Sequence, residues 1–305
     1  DDIKAELIKL KAQNVEGIIL DLRNNGGGSL TEVVDIMGLF MNNGPVVQVK
    51  DGNGRVQVMR NKQNDPIWTG PLVIMQNELS ASASEILAGA MKDYGRAVIV
   101  GSPNSFGKGT VQTFVELNRF LNSTDDFGSL KLTIQKFYRI NGKSTQLKGV
   151  ESDIPMKDVF SYEEIGERFD NYALPWDQVN SSSFTVNNSI NVAELAKNSQ
   201  SRMAQNKFYQ LLLESAQWRE KLDKEEKISL NLKEFEAVMK TRKAQIDKFK
   251  PLIKYNNGLN FALHADELAR GKTDEVFAKK SENWMKNLKR DIFLQETVNI
   301  ISELK

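Results

Sequence analysis

Leu72-Val73-Ile74-Met75-Gln76-Asn77-Glu78-Leu79-Ser80-Ala81-Ser82-Ala83-Ser84-Glu85-Ile86 holds the pattern on which the fold turns. An apolar run of strand length, residues 72–75, breaks into a polar turn. Small and apolar residues then follow with helical spacing to about Tyr94, where Gly95 supplies a helix C-cap. A second apolar run, 97–100, comes next. The same unit stands upstream: apolar residues 18–22, the loop Arg23-Asn24-Asn25-Gly26-Gly27-Gly28, and a helix opening at Thr31. A strand–turn–helix unit that recurs in this way predicts a layered α/β domain.

Working outward, residues 46–49 and 56–59 flank the turn Asp51-Gly52-Asn53-Gly54 and read as a hairpin. Residues 111–117 and 130–140 alternate as strands do. The second closes at an Asn141-Gly142 turn, and a polar insertion, 119–128, separates the two. Past Trp176 the composition changes. Asn180-Ser181-Ser182-Ser183 and Asn187-Asn188-Ser189 form a polar linker, after which the chain is rich in Lys, Glu and Gln at helical spacing. Asn231-Leu232-Lys233-Glu234 reads as a capped helix start. The expected organisation is a core over residues 1–185 and a helical C-terminal domain over 186–305.

Composition removes whole classes of chemistry. There is no cysteine, so thiol nucleophiles, disulfides and cysteine metal sites are excluded. The single histidine, His264, lies in a helical stretch far from the serine turn, and no metal or cofactor motif is present. A net charge of +1 gives no reason to expect a nucleic-acid partner. No apolar run approaches the ~18 residues of a membrane span. The opening Asp1-Asp2-Ile3-Lys4 is acidic and enters a helix directly, unlike a signal peptide.

Three segments carry candidate chemistry. A serine at the first turn of a helix has free backbone N–H groups beside it and the favourable end of the helix dipole. The competing reading is a capping box, Ser82-Ala83-Ser84-Glu85, and local sequence does not choose among Ser80, Ser82 and Ser84. In Phe106-Gly107-Lys108-Gly109-Thr110-Val111-Gln112, a phosphate loop fails because Gly109 stands where Ser or Thr is needed. Lys108 is then either a solvated surface lysine or a general base, which requires the neutral form that burial favours. The glycines at 26–28 suit either a plain turn or close approach of a backbone to a reacting oxyanion.

Taken in order, these strings, with Thr133-Ile134-Gln135-Lys136-Phe137-Tyr138-Arg139 and Lys148-Gly149-Val150, resemble the C-terminal processing (tail-specific) serine peptidases, in their long periplasmic branch. The resemblance implies a crotonase/ClpP-like layered protease core followed by the helical domain. It further implies Ser82 as nucleophile, Lys108 as general base, Gln112 orienting the lysine, and backbone N–H groups of Ala83, Gly26 and Gly27 as the oxyanion hole. The implied substrates are polypeptides with accessible C-termini, the compartment is the periplasm, and the helical tail is a surface for an envelope adaptor or for self-association. A non-catalytic peptide-binding or scaffold descendant of the same fold is the alternative, and an acyl-CoA enzyme of crotonase type a more distant one.

Several departures accompany the match. The family's PDZ domain has no counterpart in these residues, so the expectation is a partial core. Asp93 matches an aspartate sometimes assigned to the catalytic set, but eleven residues along a helix is ~16 Å, so a structural role is expected. Ser102-Pro103-Asn104-Ser105-Phe106 is one residue longer than the family's usual run, which puts 26 positions between Ser82 and Lys108. Lys108 and Gln112 lie ~13 Å apart in a straight strand, and sharing a site requires a bend between them.

Overall fold

In the computed structural model, which describes residues 1–119, 125–225 and 227–304, the 72–76 run is a fully buried central strand. The chain opens with α1 (Asp2–Ala12), β1 (Ile18–Asp21) and α2 (Leu30–Gly38). The hairpin β2 (Gly44–Asp51) and β3 (Val56–Asn61) follows, then β4 (Leu72–Gln76), α3 (Ala83–Asp93) and β5 (Val98–Gly101). Next come β6 (Thr110–Glu116), β7 (Ser129–Tyr138) and the short β8 (Ile154–Pro155). Of the polar insertion at 119–128, residues 120–124 lie outside the described residues.

The strands form two sheets. One is parallel, in the order β1-β4-β5-β8, and the other antiparallel, in the order β3-β2-β7-β6. Helix α3 touches β5 of the first sheet and β2 of the second, while α2 touches β2 and β3. The helices therefore share one core with both sheets. This accounts for the unbroken apolar runs of β4 and β5, since strands of a parallel sheet are covered on both faces. Burying one such side chain, Ile74 or Ile99, contributes about 1.5–3 kcal/mol.

Helix boundaries follow local chemistry. Ser29 caps α2 by accepting the Glu32 N–H, so the helix begins one residue before Thr31. Gly95 takes φ +63° just past α3, as a C-cap glycine does. The Asn141-Gly142 turn forms, with Gly142 at φ +89° and its N–H donated to Arg139 C=O at 2.9 Å. The polar stretch at 180–189 is irregular, but it is not loose. Ser182 N–H and Oγ both donate to Ile140 C=O, Asn187 N–H donates to Tyr94 C=O, and Phe184 meets the Tyr94 ring edge-on at 5.4 Å. Its polar residues satisfy backbone groups of the core, a use that composition alone does not reveal.

Residues Asp1–Met156 and Glu164–Val192 cluster in one compact unit, and Lys157–Glu163 with Ala193–Glu303 in another. The second unit contains α4 (Val192–Gln205), α5 (Lys207–Asp223), α6 (Leu232–Phe249), α7 (Ala265–Gly271), α8 (Glu275–Leu288) and α9 (Ile292–Ser302). Arg202 of α4 forks onto buried Glu296 of α9, and Tyr209 of α5 meets Phe293 of α9 edge-on at 6.1 Å. Asn231 caps α6 as expected, yet Leu232, Phe235, Val238 and Met239 on that helix stay exposed. No helix among the described residues is long and apolar enough to cross a membrane.

Candidate active site

The serine turn is not an ordinary N-cap. Ser82 adopts φ 58°, ψ −115°, a region that L-residues other than glycine rarely enter. Neighbouring bonds hold it there. Ala81 N–H and Ser84 Oγ both donate to Asn25 C=O at 3.0 Å. Ser80 Oγ donates to Leu22 C=O at 2.8 Å and accepts from Asn77 N–H at 2.9 Å. Asn77 in turn exchanges hydrogen bonds with Asn24, itself at φ 61°. The turn after β4 and the turn after β1 are thus sewn into one piece.

This arrangement separates the three serines that local sequence left equivalent. Ser80 and Ser84 are buried and committed to backbone carbonyls, whereas Ser82 is half-buried at the apex of the turn. Gly27 sits directly against it. At φ +102°, a Cβ on Gly27 would lie 2.7 Å from Ser82 Cβ and 2.9 Å from Ala83 N. Gly26 and Gly28 face open space, so of the three glycines only the middle one is sterically required. The Gly27 N–H donates to Asn25 Oδ1 at 2.9 Å.

The lysine loop is fastened at every backbone polar group. Phe106 N–H donates to Ser80 C=O, and its C=O accepts from Glu167 N–H. Gly107 N–H donates to Glu85, and its C=O accepts from Leu147 N–H at 2.8 Å. Lys108 N–H also donates to Glu85, and its C=O accepts from Thr145 Oγ1 at 2.7 Å. Gly109 N–H donates to Gln146 Oε1, and its C=O accepts from Phe137 N–H. Leu147, which makes the bond to Gly107, takes φ 65°, a strained backbone for a leucine. The freedom left at Lys108 is in its half-buried side chain.

Glu85 joins the two pieces. It is completely buried in the first turn of α3. Its Oε2 accepts Ser82 N–H at 2.8 Å and Lys108 N–H at 3.0 Å, and its Oε1 accepts Ser105 Oγ at 2.6 Å and Gly107 N–H at 2.7 Å. Because two of these bonds end on one oxygen, the backbone nitrogens of Ser82 and Lys108 are at most ~6 Å apart. Burial pushes the Glu85 carboxyl up to about 7, against the pull of its donors. The sequence reading gave Glu85 only a capping role. What could have exposed it is a carboxylate in the small and apolar first two turns of the helix, where an unpaired charge is costly.

Ser82, Ala83, Gly27 and the Lys108 backbone are therefore brought together. Among the described residues, no hydrogen bond links the Ser82 hydroxyl to the Lys108 ammonium, and Gln112 bonds to neither. Gln112 is exposed on β6, beside a register shift between Val111 and Gln112. Asp93, at the far end of α3, is taken by Arg139 and by Asn141, whose Nδ2 lies 2.8 Å from Oδ1. An apolar cavity of about 160 Å³ opens beside Gly27 and Ala83, walled by Leu20, Leu22, Val33, Ile36 and Leu87.

Residues 1–156 match the family described as Peptidase family S41, and residues 160–305 match the C-terminal domain of tail specific protease. The tail-specific protease of Haemophilus influenzae is 48% identical over 200 residues, covering 65% of this chain and 28% of that protein. The carboxy-terminal-processing protease of Bartonella bacilliformis is 38% identical over 148 residues, covering 48% and 32%. Among solved structures, a photosystem II D1 C-terminal processing protease aligns with a TM-score of 0.45 at 31% identity, over 51% of this chain and 38% of that one. The chain spans about a third or less of the length of the two curated relatives.

Proposed function

Because the chain belongs to peptidase family S41, we propose that it carries the catalytic core of a serine endopeptidase working through a Ser82–Lys108 dyad. The observation that carries the reading is the strained, half-buried Ser82, with Gly27 packed on it and the Lys108 backbone bonded to the same carboxylate oxygen. The neutral Lys108 amine takes the Ser82 Oγ proton as the oxygen bonds to the scissile carbonyl carbon. The oxyanion is assigned to the start of α3, within reach of the Ala83 N–H, and the Gly27 N–H joins it on releasing Asn25 Oδ1. Collapse breaks the C–N bond, with the lysine proton passing to the leaving amine. The acyl group on Ser82 is then released by a water deprotonated by the same lysine.

The helix start, the glycine turn and the apolar cavity support a polypeptide substrate, its apolar residue before the cut seated among Leu20, Val33 and Leu87. By likeness to the tail-specific protease, the substrates are polypeptides entered from their C-terminal regions, and the motif resemblance assigns them to the exported proteins of the bacterial periplasm. Gln112 is assigned to orient the lysine once Nζ turns toward Ser82, and Asp93 to support. The division into a core at 1–185 and a helical domain at 186–305 belongs to the same proposal, with α6 as a surface for an adaptor or a second copy.

Ser82→Ala and Lys108→Ala in the intact protein should each abolish cleavage of a polypeptide with an apolar C-terminus, leaving circular dichroism unchanged. Full turnover by Ser82→Ala would refute the assignment and favour the non-catalytic peptide-binding reading.

A further inference from the structure

We propose that Glu85 is the positioning residue of the Ser82–Lys108 pair: its ionised carboxylate locks the nucleophile turn and the lysine loop into one rigid unit and fixes where the lysine side chain emerges beside the serine. The proposal rests on Ser82 and Lys108 being the reacting pair.

The donor set argues for this role over plain helix capping. A cap needs only the Ser82 N–H. Three further donors, Ser105 Oγ, Gly107 N–H and Lys108 N–H, come from a loop twenty or more positions away. Every group facing the carboxyl is a donor. Three are backbone N–H groups, which cannot accept. The fourth, Ser105 Oγ, accepts from Val150 N–H at 2.7 Å and donates to Glu85 at 2.6 Å. A carboxylate accepts from all four at once, whereas a neutral acid gives up one acceptor position to its own O–H. The arrangement is built around the charged form.

Among the described residues, that charge has no cation partner. The ionisable side chains on the surrounding elements are engaged elsewhere or remain unpaired with it. Lys92 is bonded to Asp153, Arg139 to Asp93, and Glu78 to Ser102, while Lys148 stacks on Trp176. Lys108 presents its backbone, not its ammonium, to the carboxylate. The α3 N-terminus and the four donors hold the charge, and burial pushes the carboxyl up to about 7. Below about 7 the carboxyl takes up a proton, which uses one of its acceptor positions, so kcat should fall on its acid limb near neutral pH without loss of global stability.

The test uses the intact protein and a polypeptide substrate, with kcat, KM and melting temperature read from pH 5.5 to 9. Glu85→Gln replaces one acceptor oxygen by an NH2 group facing two donors. The expected result is a kcat lower by about a hundredfold or more, with KM within threefold and a melting temperature equal or higher. Ser105→Ala removes one donor without touching the reacting residues or their backbone contacts, and should move the acid limb of kcat to higher pH. Turnover by Glu85→Gln within threefold of the unsubstituted protein would overturn the proposal. If Glu85→Gln does not fold, a Ser105→Ala profile superimposable on the unsubstituted one overturns it instead. Ser82→Ala, run alongside, separates the two readings: retained activity there refutes the dyad, whereas loss there with normal Glu85→Gln refutes only the positioning role.

Discussion

Gly27 lies so close to Ser82 that a methyl group on its Cα would stand 2.7 Å from the serine Cβ. Its φ of +102° adds strain for any other residue. Gly27→Ala should therefore push the serine turn out of place, costing roughly 1–3 kcal/mol and about a hundredfold or more in turnover. Gly28→Ala, with nothing within 4 Å of the new methyl, is the control and should be near neutral in both. Parallel denaturation and kinetic measurements on the two variants check this.

The serine cluster gives a second test. Ser80→Ala leaves the Asn77 N–H without its acceptor and should cost about 1–3 kcal/mol, while the surviving folded fraction turns over normally. Ser84→Ala should cost about 1 kcal/mol with the same outcome. Ser82→Ala should show the reverse, with stability kept and turnover lost. A chemical melt and a single-turnover assay on each variant distinguish the two patterns.

Asp93→Asn separates support from chemistry. The change strips Arg139 of its carboxylate in a partly buried site, and should lower stability by about 2–4 kcal/mol. Turnover of the folded protein at permissive temperature should stay within a few-fold, as expected for a carboxylate bonded to Arg139 and Asn141. The melting temperature and kcat of this variant provide the check.

Filling the cavity should alter selectivity while preserving the chemistry. Val33→Phe narrows the space between Leu20, Ile36 and Leu87. The expected result is a roughly tenfold or greater loss of kcat/KM for substrates with leucine before the cut, and little change for alanine. Paired peptide substrates differing at that residue would measure it.

Glu85 also makes a prediction for folding stability. Its carboxyl in the folded protein titrates near 7, above the ordinary 4.5, because burial disfavours the charge. The folded state therefore holds a proton between those values that the unfolded chain has released. The associated stabilisation is complete below 4.5 and lost as pH rises through about 7. Denaturant midpoints should fall over that window in the unsubstituted protein, and Glu85→Gln should remove this contribution to the slope.

Much of the architecture was legible because it follows from local rules. The apolar runs at β4 and β5, the C-cap at Gly95 and the Asn231 cap each depend on residues within a few positions of one another. The site was legible only through the order of its motifs. Sequence could not choose Ser82 over Ser80, because the difference lies in a tether to Leu22, far along the chain. Nor could it show that Leu147 would strain to φ 65° to hold Gly107, or that Glu85 would collect donors from beyond its own helix. The polar run at 180–189 misleads for the same reason: its partners, Ile140 and Tyr94, are distant.

The fastening of residues 106–109 has a consequence for how chains of this kind are recognised. Their place is dictated by the Glu85 carboxylate and by the 144–150 segment, not by the length of chain leading in from β5. Ser105, just upstream, is held in the same way, donating to Glu85 and accepting from Val150 N–H. Linear spacing between nucleophile and base is then a poor ruler. A search anchored on the glutamate three residues after the serine and on the Gly-Lys-Gly triplet, with the gap left elastic, rests on the groups that hold the loop in place.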